Sequence, residues 1–376
     1  MNSNKNILIL TIIAISTLGN QQAKADFVFG EPENLGPTIN TAMHEIDPGI
    51  SWDNLSISFQ RGQPDWSGFV EAWIAQRTTK YDPWNDAVGL GPWEDNQGAH
   101  DAAILKAMVE TMGGIVRGWG TADGLELYTW QDKLGGYGGQ DLFVMKRETV
   151  DANWGPLLNL GTTVNSSNSD YSFFISPDGL TLYFASYERS GGYGRTDIWI
   201  TTRATRLNPW STSTNLGPSV NSSSWDYYPN ISPDGLLLFF GSGRPGGFGD
   251  TDIWITRRAS LSDPWEDAVN LGSMFNTSVD DDTPHISPDG STLYFTSNRP
   301  GGYGGYDIWK ASIKPIVDLN GDGIVDAQDM CMIVDDWGTD DPLCDIGPMP
   351  WGDGIVDVED LIVLAEHLFE EIPPVE

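Results

Sequence analysis

The 376-residue chain has a formal net charge of −33 and only two cysteines. Nucleic acid and anionic membranes are poor partners for such a chain, because phosphate binding requires clustered Lys and Arg. Divalent cations and neutral or basic ligands suit its charge better.

The N-terminal residues 1–25 have the pattern of a secretory signal peptide. Lys5 supplies a positive start, and residues 7–18 form an apolar stretch that is too short to span a bilayer. Residues 23–25, Ala-Lys-Ala, match the small-x-small cleavage pattern, so we expect the mature chain to begin at Asp26. The alternative is an uncleaved membrane anchor. Because no other long apolar segment follows, we expect a secreted protein, extracellular or periplasmic, with no membrane span in the mature chain.

Three short motifs recur along the chain with a common period of 55 or 56 residues. Ser-Pro-Asp-Gly begins at Ser176, Ser232 and Ser287, Asp-Ile-Trp at Asp197, Asp252 and Asp307, and Asn-Leu-Gly at Asn159, Asn215 and Asn270. Two weaker copies lie upstream, at residues 122–143 and 52–73, and an additional segment falls within 92–117. Residues 99–112 have helical composition, so a helix is predicted in that insertion. Copies at one period indicate a repeat architecture.

Each copy has the composition of short β-strands joined by tight turns. Residues 181–185 and 198–201 are rich in β-branched and aromatic residues, and the Pro-Asp-Gly segments have turn chemistry. About five units of four strands at this period predict an all-β β-propeller. A two-sheet sandwich is the competing fold, although sandwiches show no such period. Residues 27–36 match the outer-strand segment of a blade, so we expect them to complete the last blade and close the ring.

The complete repeat consists of Ile-Ser-Pro-Asp-Gly, an apolar strand, Arg-x-Gly-Gly-Tyr-Gly and Asp-Ile-Trp. This pattern resembles the WD-repeat-like propeller repeats of the TolB kind, over residues 30–313. The resemblance implies a propeller domain, which we assign to residues 26–314, and it names no activity.

The C-terminal residues 315–376 form a compositionally separate segment, with 17 Asp or Glu and no Lys or Arg. Oxygen ligands occur at positions 1, 3, 5, 9 and 12 of a loop within 318–329, and Gly323 permits the sharp turn at position 6. The predicted ligands are Asp318, Asn320, Asp322, the Ile324 carbonyl, Asp326 and Asp329. Calcium prefers such clustered oxygens, so the sequence predicts Ca²⁺ as a cofactor. The alternative is a solvated acidic linker.

A second, less complete half follows and ends in a helix predicted over 361–369. Aligned on the first loop, it keeps the ligands of positions 5, 9 and 12 as Asp353, Asp357 and Asp360. Met349 and Trp351 occupy positions 1 and 3, where they offer no side-chain oxygen. Asp345 would supply the missing first ligand if the loop bulges.

Two loop–helix halves at the end of the chain, with Asp at position 12, resemble a type I dockerin over about 316–370. The resemblance implies a small α-helical, EF-hand-like domain, assigned to 315–372. It also implies a cohesin-like scaffold protein as a partner and a context of polysaccharide use. The two cysteines, Cys331 and Cys344, both lie in this domain, and whether they pair stays open.

One pattern in the repeats suggests a ligand-binding face on the propeller. An acid stands five residues before the Ile of the first strand in four copies, as Glu45, Asp170, Asp226 and Asp281. Aromatic residues occupy the Gly-Gly hairpins, as Tyr193, Phe248 and Tyr303. Acids with aromatic rings would suit sugars, because ring faces stack while carboxylates accept hydrogen bonds from hydroxyls. The alternative is structural, since a residue repeated in every blade is usually one that every blade needs.

Three functions stay open at this stage. We favour a non-catalytic binding protein, in which the propeller recognises polysaccharide or protein and the C-terminal domain attaches it to a scaffold or surface. A glycoside hydrolase, acting through central carboxylates, is the second hypothesis. A structural scaffold-assembly component is the third. Unequal side chains at equivalent blade positions would favour a site, whereas near-identical blades would favour a scaffold.

Overall fold

The computed structural model describes residues 27–63, 65, 71–92, 114–115, 118–132, 136–339, 341, 343–347 and 355–369. The predicted signal peptide, the helix predicted within 99–112 and the predicted calcium ligand Asp353 lie outside these residues. The described residues divide into two compact units. The larger comprises Asn34–Pro288 and Tyr294–Lys310, and the smaller comprises the others.

Among the described residues, 22 strands form five antiparallel sheets, which are the five blades of a β-propeller. Blade one contains β3 (His44–Ile50), β4 (Ser56–Gly62), β5 (Glu71–Gln76) and β6 (Val88–Pro92). Blade two contains β7 (Gly114–Ile115), β8 (Gly118–Gly120), β9 (Glu126–Asp132), β10 (Gln140–Lys146) and β11 (Leu158–Asn159). Blade three contains β12 (Asp170–Ile175), β13 (Thr181–Tyr187), β14 (Thr196–Thr202) and β15 (Thr214–Asn215). Blade four contains β16 (Asp226–Ile231), β17 (Leu237–Ser242), β18 (Asp252–Arg257) and β19 (Val269–Asn270).

Blade five combines the two ends of the repeat region. It contains β20 (Asp281–Ile286), β21 (Thr292–Ser297) and β22 (Asp307–Pro315), joined by β1 (Phe27–Phe29) and β2 (Glu33–Asn34) from the N-terminal side. Strand β1 runs antiparallel to β22, with Phe27 opposite Pro315. The predicted closure of the ring by residues 27–36 is therefore confirmed, and the five-bladed fold excludes the sandwich alternative.

In blades one, three, four and five the first strand lies innermost, because β12, β16, β20 and β3 contact one another in succession. The middle strands supply the core between blades, with Phe184, Phe240 and Tyr294 almost inaccessible to solvent. Apolar and polar residues do not alternate regularly in these strands, because both faces of each blade are covered by neighbouring blades.

Two sets of polar contacts recur from blade to blade. In blade three, Arg203 stacks over Trp210 at 4.4 Å and donates from Nε to the Gly179 carbonyl of the Pro-Asp-Gly turn. Asp197 accepts hydrogen bonds from the backbone N–H groups of Tyr193 and Gly194, and thereby closes the Gly-Gly hairpin. Blade four repeats the hairpin closure through Asp252. These contacts give the repeated Asp-Ile-Trp motif a structural role.

The C-terminal segment folds into two matching halves. Helix α1 (Ala327–Asp335) begins after Asp326 and helix α2 (Val358–Glu366) begins after Asp357, each with a complete capping box. The halves exchange equivalent hydrogen bonds, from Gly338 N–H to the Val356 carbonyl and from Phe369 N–H to the Val325 carbonyl, both at 2.8 Å.

The helix predicted over 361–369 thus begins earlier and ends earlier than expected. The Asp357 cap fixes its start, and Phe369 adopts a left-handed conformation with φ of 70°. In the described part of the chain, no helix is both long enough and apolar enough to cross a membrane.

Candidate functional site

The four repeated acids predicted to bind a ligand are buried, and their side-chain oxygens accept hydrogen bonds from other residues of the protein. Asp226 illustrates the arrangement: Oδ1 accepts hydrogen bonds from Ser242 Oγ and from Arg244 Nη2, both at 2.6 Å. Its Oδ2 accepts from Ser222 N–H at 2.6 Å. The Arg244 guanidinium also stacks over Trp254, at 4.8 Å.

The other three acids repeat this arrangement. Their ion pairs are Glu45 with Arg61, Asp170 with Arg189, and Asp281 with Arg299. None of the four acid side chains is measurably accessible to solvent. The geometry therefore favours the structural alternative for the predicted ring of acids, since a ligand would first have to break buried ion pairs.

The predicted aromatic residues are in a different situation, because they stay accessible. Tyr193 is 52% exposed, and Phe248 and Tyr303 are each 51% exposed. Tyr137 occupies the equivalent hairpin of blade two and is also 51% exposed. Four half-exposed rings at equivalent hairpins form a repeated apolar feature that a ligand could contact.

A cavity of about 110 Å³ is lined by residues from all five blades. Its aromatic lining includes Trp119 and Trp130 of blade two and Tyr228 of blade four. Its polar lining includes Asp47, Ser172, Asn230, Thr283 and His285. Lys and Arg are absent from the described residues that line it.

The cavity is the place where equivalent positions of the blades carry different side chains. The residue two positions after the buried acid adopts a left-handed backbone in four blades, although none of the four is glycine. These residues are Asp47, Ser172, Tyr228 and Thr283, with φ between 44° and 55°. The strand register shifts at this point in blades one, three and four, so a β-bulge interrupts each inner strand.

Such a backbone conformation is unfavourable for Tyr and for β-branched Thr, by about 1–3 kcal/mol each. The four left-handed residues all line the same cavity, so four unequal side chains border one space. This combination of repeated strain and unequal chemistry distinguishes the cavity from the repeated ion pairs around it.

Two carboxylates lie in or beside the cavity: Asp47 lines it, and Asp282 directly precedes the lining residue Thr283. Asp47 accepts a hydrogen bond from Gln60 Nε2 at 2.5 Å. Burial raises the pKa of Asp282, the residue before Thr283, to about 7, and the negative charges of Asp47 and Asp280 add to this increase. Oδ1 of Asp282 is buried and has no hydrogen-bond partner among the described residues. This carboxyl therefore titrates near neutral pH.

His285 is held as a neutral ring. Its Nε2 accepts a hydrogen bond from Ile50 N–H at 3.2 Å, and its Nδ1 lies 3.0 Å from Asn230 Nδ2. Burial lowers its pKa to about 3. The imidazole links blades one, four and five and contributes no positive charge to the cavity.

Sequence reasoning missed Asp47, Asp282 and the left-handed positions. The repeats align the inner strands correctly, but the ligand-site prediction used the residues that recur between blades, whereas the cavity residues differ between blades. The signal was nevertheless present, since the residue two after each aligned acid is Asp, Ser, Tyr or Thr in turn. Their left-handed backbone is a property of the folded strands and had no motif of its own.

The loop within 318–329 fits the donor chemistry of a calcium ion. Gly323 has φ of 90°, as the sharp turn at loop position 6 requires. Asp318 Oδ2 accepts a hydrogen bond from Gly323 N–H at 2.9 Å, which folds the loop back over its first residue. Asn320 and Asp322 lie on the same turn, with Asn320 Nδ2 3.1 Å from Asp322 Oδ2. Asp318, Asn320, Asp322, Asp326 and the Ile324 carbonyl are the groups that would hold the ion.

Asp329 differs from the expected position-12 ligand. It is fully buried, and its Oδ1 accepts from Leu319 N–H at 2.8 Å and from Asn320 N–H at 3.1 Å. Its Oδ2 accepts from Asp326 N–H at 2.8 Å. A carboxylate has about four acceptor positions, so this group has one left and is better placed to clamp the loop than to chelate.

The second half repeats this clamp in a longer loop. Asp360 Oδ1 accepts from Ile346 N–H and Gly347 N–H, at 2.6 and 2.7 Å. Ile346 is therefore equivalent to Leu319, and Asp345 is equivalent to Asp318. Asp345 therefore occupies the position of Asp318, at which the sequence predicts a first ligand, while Asp357 serves as the helix cap.

The two cysteines are free thiols, with Cys331 exposed and Cys344 buried. Burial raises the pKa of Cys344 to about 12, and the nearby carboxylates of Asp336 and Asp341 add to this increase. A thiol in such surroundings is a weak nucleophile.

Comparison with known proteins gives only distant similarities. No protein-family model matches the chain, and no curated protein matches it. An α-L-arabinofuranosidase from Lactobacillus brevis is 13% identical with a TM-score of 0.44, over 74% of this chain and 92% of that chain. A putative TolB from Agrobacterium tumefaciens is 14% identical with a TM-score of 0.39, over 79% and 99%.

A third similar structure is an α-L-arabinofuranosidase from Podospora anserina in complex with cellotriose. It is 10% identical with a TM-score of 0.42, over 76% of this chain and 96% of that chain. Similarities at this level do not assign an activity. The class of the molecule, a five-bladed propeller of four-stranded sheets followed by two short helices, follows from its own strand order.

Proposed function

We propose that the propeller binds a carbohydrate with one end in the central cavity. The observation that carries this proposal is the set of unequal side chains at the four left-handed positions. Aromatic faces such as Trp130 stack on the apolar faces of sugar rings, while Asp47 and the hydroxyl groups of Ser172 and Thr283 suit sugar hydroxyls. A purely structural ring would have no need of different side chains at these strained positions.

The size of the cavity limits how such a ligand would enter. Pockets for drug-sized ligands measure roughly 300–1,000 Å³. A cavity of about 110 Å³ suits a small ligand or the terminal unit of a longer one. The half-exposed Tyr193, Phe248 and Tyr303 would then contact parts of the ligand that stay outside the cavity.

The test is retention of the whole protein in native gels cast with a broad panel of soluble polysaccharides. We expect retardation by at least one glycan, and loss of that retardation in Asp47→Asn. Asp53→Asn is the matched control, because Asp53 is an exposed acid of the same blade whose Oδ1 only accepts from the Ser51 hydroxyl and Leu55 N–H. No retardation across the panel, or equal retardation of Asp47→Asn, would contradict the proposal.

A second function, hydrolysis of a glycosidic bond, is favoured by the pair of carboxyls. Asp282, with its pKa raised to about 7 chiefly by burial, would donate a proton to the departing glycosidic oxygen. Asp47 would accept a proton from the water that attacks the sugar carbon, so that the products are two hydroxyl-bearing sugars. Release of reducing ends from the retarding glycan, abolished in Asp282→Asn while retention persists, would support this function. Retention without any release would leave binding as the function.

We further propose that the C-terminal domain binds Ca²⁺ and attaches an exported propeller to a scaffold or surface. The support is the loop around Gly323 and its resemblance to a type I dockerin, which makes a cohesin-like protein the expected partner. Calcium-dependent binding of the whole protein to such a partner, lost in Asp318→Ala, is the expected result. Equal binding in the presence of a chelator would contradict this attachment role.

A further inference from the structure

We propose that Trp119 closes the central channel of the propeller, so that the cavity accepts only the end of a glycan chain, and that Trp119 and Ser172 bind the terminal unit of that chain. This inference rests on the proposed function, because it names the part of the carbohydrate that the cavity recognises and two residues that recognise it.

Each of the five inner strands places one residue at a common level of the channel. The strand pairs of blades one to four and the sequence repeat in blade five define this level. The five residues, all of which line the cavity, are Gly49, Trp119, Phe174, Asn230 and His285. A second cavity, of about 10 Å³, is lined by Trp119, Phe174 and His285, and every other residue that lines it follows this level in the sequence of its own blade. The residues at this level therefore separate the two spaces.

The indole of Trp119 extends across the axis of the channel. Its ring centroid lies 4.8 Å from that of His285. Trp119 belongs to blade two and His285 to blade five, which are not neighbours in the ring of blades, so this contact crosses the channel. Gly49 gives the indole its space, since a Cβ at that position would lie 3.0 Å from Trp119 Cζ3. Trp52 of blade one packs edge-on against the same indole, with ring centroids 5.7 Å apart.

This closure makes the cavity a blind pocket on the side of the Gly-Gly hairpins. In blade three, Asp170 at the start of β12 pairs with Ser186, which precedes the hairpin, and the lining residue Ser172 follows two positions later. A glycan that enters from the hairpin side stops at Trp119, because the indole blocks the way to the Pro-Asp-Gly turns on the other side. An internal segment of a chain needs a path in and a path out, whereas a blind pocket admits only a terminal unit.

Two polar atoms of this pocket are available to the terminal unit. Trp119 Nε1 and Ser172 Oγ are buried, and neither has a hydrogen-bond partner in the part of the chain that the structure describes. Ser172 is only 4% exposed. In contrast, Asn230 Nδ2 is engaged by His285 Nδ1. Leaving buried polar groups unpaired is unfavourable, so a ligand that supplies their partners gains affinity. An indole N–H only donates and a hydroxyl both donates and accepts, and the oxygens of a sugar match both.

The first measurement is calorimetric titration of the whole protein with a glycan that retards it in native gels. The glycan is used either intact or after partial acid hydrolysis, which multiplies the chain ends and leaves the mass of sugar unchanged. We expect the amount of protein bound per gram of glycan at saturation to increase in proportion to the number of chain ends. Equal amounts bound per gram would overturn the inference and leave carbohydrate binding intact, because internal segments would then be bound.

The second measurement compares variants in the same titration. Trp119→Phe removes the indole N–H and keeps a ring at the closed level, where Phe174 is the equivalent residue of blade three. Ser172→Ala removes the hydroxyl. Each substitution should weaken binding about three- to tenfold. Thr129→Val is the matched control, because Thr129 Oγ1 is also buried without a partner among the described residues and Thr129 does not line the cavity.

The outcomes separate this inference from the function on which it rests. Affinities of Trp119→Phe and Ser172→Ala that equal the affinity of Thr129→Val would overturn the inference, because the terminal unit would then be bound by other groups. If Trp119→Phe does not fold, Ser172→Ala and the dependence on chain ends decide. Absence of retention across the polysaccharide panel would instead contradict the proposed function itself.

Discussion

The acids near the inner strands fall into two groups with opposite surroundings. Asp226 and Asp281 are fully buried, and each is matched by an arginine and by hydroxyl groups of its own blade. Asp282 lies one residue after such an acid and Asp47 lies two residues after one, at positions where the side chains differ between blades. The first group recurs in four blades, where each acid pairs with an arginine of its own blade, whereas Asp47 and Asp282 each occur in one blade.

Residues that recur between blades and residues that differ between blades therefore lie at neighbouring positions of the same inner strand. The ion pairs fix the geometry, and the left-handed residue that follows turns a blade-specific side chain towards the cavity. Substitutions in the two groups should therefore have effects of different kinds. The first should change stability without changing binding specificity, and the second should change binding.

The largest effect is expected for a broken ion pair. Asp226→Ala leaves the Arg244 guanidinium buried without its carboxylate, and should lower the free energy of unfolding by about 3–5 kcal/mol. Urea denaturation followed by Trp fluorescence measures this change. Arg257→Ala is the control, since the Arg257–Glu266 pair is about half exposed and should contribute less than about 1 kcal/mol. Equal effects of the two substitutions would show that the buried Asp226–Arg244 pair stabilises the fold no more than the exposed Arg257–Glu266 pair does.

The second prediction concerns Asp282 and pH. Its folded-state pKa of about 7 exceeds the ordinary 3.8, so the folded protein holds this proton more tightly than the unfolded chain does. The resulting stabilisation is present below about pH 4 and is lost as pH rises through about 7. Asp282→Asn should therefore raise the free energy of unfolding by about 2–4 kcal/mol at pH 8 and change it little at pH 4. A destabilised variant at pH 8 would show that the hydrogen bonds from Thr283 N–H and the Tyr227 hydroxyl outweigh the cost of burying the charge.

The third prediction tests the C-terminal domain. Saturating Ca²⁺, at about a hundred times the dissociation constant, should stabilise this domain by about 2.7 kcal/mol, and Asp318→Ala should abolish the increase. Protection of backbone amides in residues 316–347 against hydrogen exchange provides the measurement. Asp335→Ala is the control, because Asp335 is exposed at the end of helix α1 and lies outside the loop. Protection that is independent of Ca²⁺ would contradict the metal assignment.

The smallest effect on stability is expected at the hairpin aromatics. Phe248 is 51% exposed, so Phe248→Ala should change the free energy of unfolding by no more than about 0.5 kcal/mol. The same substitution should weaken retention on a long glycan more than binding of its terminal unit. A large loss of stability would instead assign the aromatic residues to the packing of the hairpin.

The fold was predictable because the same turn and strand residues recur at a constant spacing in the sequence. The Pro-Asp-Gly turns and the Asp-Ile-Trp strands placed β13 and β14 close to their observed bounds, and residues 27–36 complete blade five as expected. The capping acids Asp326 and Asp357 were identified in the sequence, although as metal ligands. Their role in starting the two helices depends on backbone contacts that appear only in the fold.

The site was much less predictable, for a physical reason. The acids Glu45, Asp170, Asp226 and Asp281 attracted attention because they recur, and they recur because each orients an arginine. The cavity depends instead on a left-handed bulge formed by Asp, Ser, Tyr and Thr, which have no common preference for that conformation. Only the folded strands bring these residues together.

The most direct test of the central cavity is the affinity of the whole protein for a retarding glycan after Ser172→Tyr. Tyr228 occupies the equivalent left-handed position of blade four, so the fold accommodates a tyrosine there, and a second one would fill much of the cavity. The account predicts a folded variant whose affinity for the glycan falls by at least about tenfold. A stable variant that binds the glycan as tightly as the unsubstituted protein would show that the ligand is recognised elsewhere.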